Sequence, residues 1–408
     1  MEVSPADYLS SVTPFRQIWL IFTCFIILSV ASCTKDAVIA TEIPSLRPDT
    51  LAVPFQGDLS LNPELVYAGQ RTPDYILLRN PAEAEINDAK AILGRVLLYD
   101  QNLSSNRTVS CAGCHRQSLA FGDNTIVSNG VNGTTRRHAM RLFNVRFTAE
   151  PRFFWDERAG SLRQQVLDPI RDHTEMGFSG EQGSPAFDDL LCRLDGLEYY
   201  KDLFEAAYGD QNATEAGISE GLTHFIRSIQ SFDSKYDEGQ AVTANGGIDF
   251  PNFSPEENRG KLLFGTALQY GSEGERIGGG FGCGNCHHTP EFSIDANAGN
   301  NGVTGRRGGG VDLSATRAPS LRNLFLPDGA ENGPFMHDGT FSSVGAVLDH
   351  YDNIPGENPG LDERLLPTGR PQQLNVLPEE KASLLAFLKT LTGKAIFTDE
   401  RWADPFER

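Results

Sequence analysis

Three features of the sequence predict a mainly α fold in two domains with long ordered loops. The chain has 408 residues, enough for two domains of roughly 100–200 residues each. Apolar residues recur at helical spacing in both halves. The pentapeptide Cys-x-x-Cys-His occurs twice, and each copy follows a helix-like segment. A hydrophobic share of 39% can build real cores. Gly and Pro, at 41 and 23 residues, exceed their average share of about 12%, which predicts long loops. The net charge of −19 repels phosphate backbones and excludes general nucleic-acid binding.

In chain order, Ile18 to Ser32 is an apolar run after Arg16. It is short of the about 20 residues a spanning helix needs and suits a signal peptide. Val30-Ala31-Ser32-Cys33 resembles a bacterial lipobox, so residues 1–33 read as a signal peptide with Cys33 as the lipid site. The chain is then exported, on the periplasmic face of a bacterial membrane, held by a lipid anchor; an uncleaved anchor is the alternative. Residues 34–80 read as a tether. Residues 83–99 place Ile86, Ala89, Leu93, Val96 and Leu97 on one helical face. Ser254-Pro255-Glu256-Glu257 starts a second helix, with Ser as cap, Pro at the first position and Glu at the third, followed by Leu262, Leu263 and Phe264. A last helix starts near Pro378, striped by Leu384, Leu388 and Leu391. The Gly-rich stretches 238–253, 271–282 and 296–310 read as linker and loops, and no internal repeat is seen beyond the pentapeptides and their preceding helices.

The seven cysteines carry the function. Cys24 lies in the apolar leader and Cys192 reads as a small buried hydrophobe. The other four stand in Cys111-Ala-Gly-Cys114-His115 and Cys283-Gly-Asn-Cys286-His287. Independent placement would yield about 0.002 such pentapeptides in a chain of this composition. The pattern is that of covalent c-type haem attachment: two thiols bind the porphyrin and the histidine ligates iron. A redox Cys-x-x-C needs no histidine, and a single Cys₄ zinc site would leave both histidines idle. The sequence therefore predicts two covalently bound c-type haems, one in each of two domains, 81–245 and 246–408, with His115 and His287 on the irons.

At these residues the chain resembles the bacterial di-haem cytochrome c peroxidase family, including its MauG-type branch, over roughly 83–395. The resemblance rests on Leu103-Ser104, the segment Phe153 to Ala159, Gln165, Pro169-Ile170, Glu175-Met176 and Ser234-Lys235-Tyr236. Ala318 to Asn323 and Phe335 to Gly339 continue it. It implies that the N-terminal haem meets hydrogen peroxide, that the C-terminal haem receives electrons from a donor protein, and that a tryptophan between them, Trp155, assists. Glu175 is then the distal acid–base group, with Gln165 and Pro169 lining the same pocket.

Relatives often cap the first haem with a histidine in the stretch that is here Phe121 to Arg137, which contains none. An open first haem follows, with His138 and His173 in surface or supporting roles. The methionine that ligates the second haem in many relatives falls at Tyr351, as in the MauG-type branch; His350 and Met336 are the other candidates. The family's calcium site would use the carbonyls of Asn332 and Pro334, but its side-chain ligand position is His138, and Ca²⁺ prefers oxygen. The leading activity is reduction of peroxide to water with electrons from a small, basic cytochrome c, attracted by the acidic surface. The alternatives are a peroxide-dependent protein-modifying oxidase of MauG type and a non-catalytic di-haem electron carrier. Relatives are often homodimers.

Overall fold

The computed structural model describes residues 59–406 apart from 63, 81–84, 149–150, 244, 295–297, 306–309, 315 and 355–357. The signal segment, Cys33 and the tether before Leu59 lie outside the described residues. Helices make up 35% of the described residues, among which strands are few and short. The first half holds α1 (Asp88–Tyr99), α2 (Cys111–Cys114), the hairpin β1 (Asn129–Gly130) and β2 (Gly133–Thr134), α3 (Leu162–Gln165), α4 (Asp168–Arg171), α5 (Phe187–Asp195), α6 (Glu198–Tyr208), α7 (Glu215–Ser228) and α8 (Lys235–Val242). The second holds α9 (Pro255–Gly265), the hairpin β3 (Leu268–Tyr270) and β4 (Arg276–Gly279), a pair β5 (His287–His288) and β6 (Ser293–Ile294), α10 (Val344–Asp352) and α11 (Pro378–Lys389). All three strand pairs are antiparallel.

Two hydrophobic cores organise these elements within one compact unit. In the first, α1 crosses α7 so closely that a Cβ on Gly94 would lie 1.9 Å from the Gly221 carbonyl oxygen. In the second, α9 crosses α11 and a Cβ on Gly260 would lie 2.0 Å from the Ser383 carbonyl oxygen. Only glycine lets backbones approach in this way. The start of α9 is a capping box: Ser254 Oγ accepts from Glu257 N at 3.1 Å, and Glu257 Oε2 accepts from Ser254 N at 2.6 Å.

Several sequence expectations change. The helix over 83–99 begins at Asp88, with Asn87 Oδ1 accepting from Lys90 N at 3.0 Å. The linker from 238 opens inside α8, capped by Ser234 and Asp237, and 271–282 contains β4. Leu262 is 60% exposed rather than in the core, because it sits on the face of α9 opposite α11. Cys192 is exposed, pointing away from the α5 face that carries Leu190 and Leu194. The C-terminal stretch returns to the first core: Ile396, Phe397 and Trp402 pack there, and Tyr99 Oη donates to the Trp402 carbonyl at 2.7 Å. A fully buried pair ties the halves, Arg322 donating both Nη groups to Asp237 at 2.8 Å.

The halves share a deeper repeat than the sequence shows. Asn144 and Asn323 both take left-handed backbone, φ 56° and 58°. Each holds the chain just beyond a helix, α7 in the first half and α11 in the second: Asn144 Oδ1 accepts from Ser231 N at 2.9 Å, and Asn323 Oδ1 accepts from Gly393 N at 2.8 Å. The loops Phe153–Ala159 and Phe335–Phe341 are both closed by end-to-end backbone hydrogen bonds, with φ +70° at Phe154 and +69° at Met336. Ser161 and Ser343 then cap α3 and α10. Trp155 thus matches His337, and Pro169 matches Tyr351, at one constant offset.

Candidate functional site

Each pentapeptide opens onto a cavity. The first, of about 70 Å³, has Cys111, Cys114, His115, Gln165, Pro169 and Glu175 in its wall, with Leu222 and Ile226 of α7 behind them. The single turn of α2 puts the two thiols on one side, because residues three apart in a helix share a face. His115 Nδ1 lies 3.2 Å from the Phe121 carbonyl oxygen. A proton there leaves the lone pair on Nε2, the arrangement that outer hydrogen bonds impose on metal-binding histidines. Burial pushes Cys111 up to about 12.

Glu175 is held to this wall by its backbone. Its N donates to Asp172 Oδ1 at 2.9 Å, and its carbonyl accepts from Val131 N at 2.9 Å. Gly130 makes that approach possible, since a Cβ there would meet the Thr174 carbonyl oxygen at 2.1 Å. Burial, and secondarily the charge of Asp172, raises the Glu175 carboxyl from its ordinary value to about 7; Arg158 opposes this. The structure therefore brings Gln165, Pro169 and Glu175 to the face that the pentapeptide thiols also line. His173 stays out: its Nδ1 sits between the hydroxyls of Ser179 and Ser184, at 3.3 and 3.2 Å.

The second cavity, of about 250 Å³, is lined by Cys283, Cys286, His287 and Tyr351, with Phe264, Leu384 and Leu388 as apolar walls. Burial pushes Cys283 up to about 12 and lowers His287 to about 4, the Pro319 backbone opposing the latter. Tyr351 is half-buried on the cavity wall, and its desolvation there raises its phenol above the ordinary range. Met336 reaches the same cavity, its Sδ accepting from Asn301 Nδ2 at 3.4 Å. His350 is turned elsewhere, its Nε2 3.0 Å from the Asn301 carbonyl oxygen. Two thiols and one imidazole on the wall of an apolar cavity are the donor set and surroundings that a c-type haem requires, so the residues of both sites fit that group.

Trp155 borders the larger cavity. Its Nε1 donates to the His138 carbonyl at 2.7 Å, and its ring meets His337 edge-on with centroids 6.4 Å apart. Arg137 bridges the halves beside it, at 2.5 Å from Asp156 and 2.6 Å from Asp312. His138 is buried, not on the surface, with Nδ1 2.9 Å from the Thr125 carbonyl oxygen. Sequence reasoning missed this junction, including Arg141 on the wall of the larger cavity; no motif marks it, although Arg137 to Asn144 parallels Thr316 to Asn323 once the repeat is known.

The calcium expectation does not fit. The Asn332 carbonyl accepts from Arg141 Nη2. Asn332 Nδ2 donates to the carbonyls of Leu119 and Asn323, at 3.1 and 3.0 Å. Among the described residues no group of three or more His, Cys, Asp or Glu gathers into a metal-binding cluster, and no helix is long and apolar enough to cross a membrane.

Residues 88–244 match the family described as di-haem cytochrome c peroxidase. The chain is 31% identical to the methylamine utilization protein MauG of Methylorubrum extorquens over 77% of its own length and 81% of that protein. It is 26% identical to the cytochrome c551 peroxidase of Nitrosomonas europaea over 75% and 81%. The crystal structure of a MauG-like protein associated with microbial copper homeostasis superposes with a TM-score of 0.63 at 27% identity, covering 82% of this chain and 99% of that one.

Proposed function

The chain belongs to the di-haem cytochrome c peroxidase family, and from that premise we propose that it reduces hydrogen peroxide to two waters, with two electrons from a small donor protein and two protons from solvent. The observation that carries the proposal is Glu175 on the wall of the first cavity, with its carboxyl raised to about 7. When bound, the haem of that cavity supplies the redox-active iron at which the O–O bond breaks. Glu175 takes a proton from one peroxide oxygen and returns it to the other, so that the leaving oxygen departs as water. A pKa near working pH makes both transfers feasible for one group. Gln165 orients the peroxide by hydrogen bonding. Pro169, which stands where Tyr351 stands in the other half, offers no ligating atom and so would leave room for peroxide in this cavity.

Electrons enter through the second half and pass by way of Trp155. Its indole N–H donates to a backbone carbonyl, a group too weakly basic to take the proton, so Trp155 can give up and regain an electron while keeping its proton. The net charge of −19 favours a basic donor, and export to the periplasm with a lipid on Cys33 places the protein where such donors are found. Steady-state oxidation of a reduced, basic cytochrome c by peroxide is the test. Turnover is expected, and it is expected to fall steeply as ionic strength rises and screens the attraction. No turnover with any reduced cytochrome c would overturn the peroxidase reading.

One observation favours a second reading, a protein-modifying oxidase of MauG type. Tyr351 lines the cavity of the second haem, and an anionic oxygen ligand there stabilises ferric iron. Under this reading peroxide reacts as before, but the electrons come from side chains of a partner protein.

A further inference from the structure

Residues 138–142 form a strap between the halves. His138 N donates to the His337 carbonyl at 2.8 Å, and Leu142 N donates at 3.3 Å to the Phe121 carbonyl that also faces His115. Arg141 projects from this strap to the Asn332 carbonyl. Its Nε is buried with no hydrogen-bond partner, and its stem lies against Gly122, where a Cβ would come within 3.1 Å of Arg141 Cγ. Burial alone lowers its basicity, to about 10, and no carboxylate acts on it; at neutral pH it is a cation. The matching position in the second half is Ser320, so this charge belongs to the junction and not to the repeated scaffold.

We propose that the Arg141 guanidinium is the resident cation of this junction, so that the chain joins its two haem-binding halves without calcium. A guanidinium satisfies a carbonyl by a directed hydrogen bond, whereas Ca²⁺ needs six to eight oxygens. Here one of the two expected carbonyls is already taken. The side-chain position is an imidazole whose Nδ1 faces the Thr125 carbonyl. A divalent ion would also be forced beside a fixed positive charge. The inference rests on family membership for where calcium would sit and is independent of which reaction the protein performs.

The test is calcium content and calcium response of the purified holoprotein. After dialysis against metal-free buffer, calcium by mass spectrometry is expected at background, and neither a chelator nor added Ca²⁺ should shift the ferric spectrum or the thermal midpoint. One calcium per chain, or a chelator-induced spectral change reversed by Ca²⁺, would overturn the proposal whether or not any variant folds. Arg141→Ser, which frees the Asn332 carbonyl and removes the charge, is expected to lower the midpoint and to make it rise on addition of Ca²⁺, while Arg141→Lys stays calcium-blind. A Ser variant with the midpoint of the wild type and no response would refute the role of Arg141.

Discussion

Glu175→Gln is expected to slow the reaction of peroxide with the oxidised holoprotein by roughly 10²–10⁴-fold, the range produced by removing one positioned acid–base group. Glutamine keeps the size and can still hydrogen bond to peroxide, but it cannot accept the proton. The pH dependence follows from the same group. The first step needs the carboxylate, so the wild-type rate should rise with pH through about 7, and the variant should lose that inflection. Stability supplies a control with the opposite sign. An acid whose folded pKa is raised contributes stability below its unfolded value, and this is lost as pH rises through the folded one. The wild type is therefore penalised across the window from about 4.5 to about 7, and Gln is not. The variant should be at least as stable as the wild type above pH 7, so that a lost rate cannot be put down to misfolding. A rate within a few-fold of wild type would remove Glu175 from the mechanism.

Tyr351→Phe is expected to change the spectrum of the second haem alone and to raise its potential. The phenol lines that haem's cavity together with Cys283, Cys286 and His287, and it is the repeat partner of Pro169. Replacing the proposed anionic oxygen ligand by nothing, or by a neutral donor such as Met336, removes the group that would favour ferric iron. The rise should be a sizeable part of the roughly 0.8 V over which axial ligands set haem potentials. Steady-state peroxidase turnover should change less than in Glu175→Gln, because Tyr351 is remote from peroxide. An unchanged second-haem spectrum would exclude tyrosine as a ligand.

How much of this was legible depended on whether side-chain identity or backbone conformation carried the feature. The pentapeptides are chemistry written in side chains, and so are the capping box at Ser254 and the stripe of α11. Glu175 was found only through its flanking motif, since nothing in a single acidic residue reveals that a glycine at 130 and two backbone hydrogen bonds will press it to a cavity wall. The repeat was hidden because it resides in shape. Asn144 and Asn323, the positive φ at Phe154 and Met336, and the caps at Ser161 and Ser343 preserve the same path, while Trp155 faces His337 across it and Pro169 answers Tyr351. The return of Trp402 to the first core and the burial of His138 are contacts between segments far apart in sequence, which periodicity does not register. Arg141 belongs to the same class: a surface-type residue by composition, half-buried where its guanidinium meets a carbonyl of the other half.

In the proposed function the first haem site is open in the resting, fully oxidised protein, and peroxide chemistry begins there without prior reduction. Rapid mixing of hydrogen peroxide with the all-ferric holoprotein tests this most directly. An immediate change in the haem absorption bands is expected, with a rate proportional to peroxide concentration. A spectrum that stays unchanged until the second haem has first been reduced would contradict it.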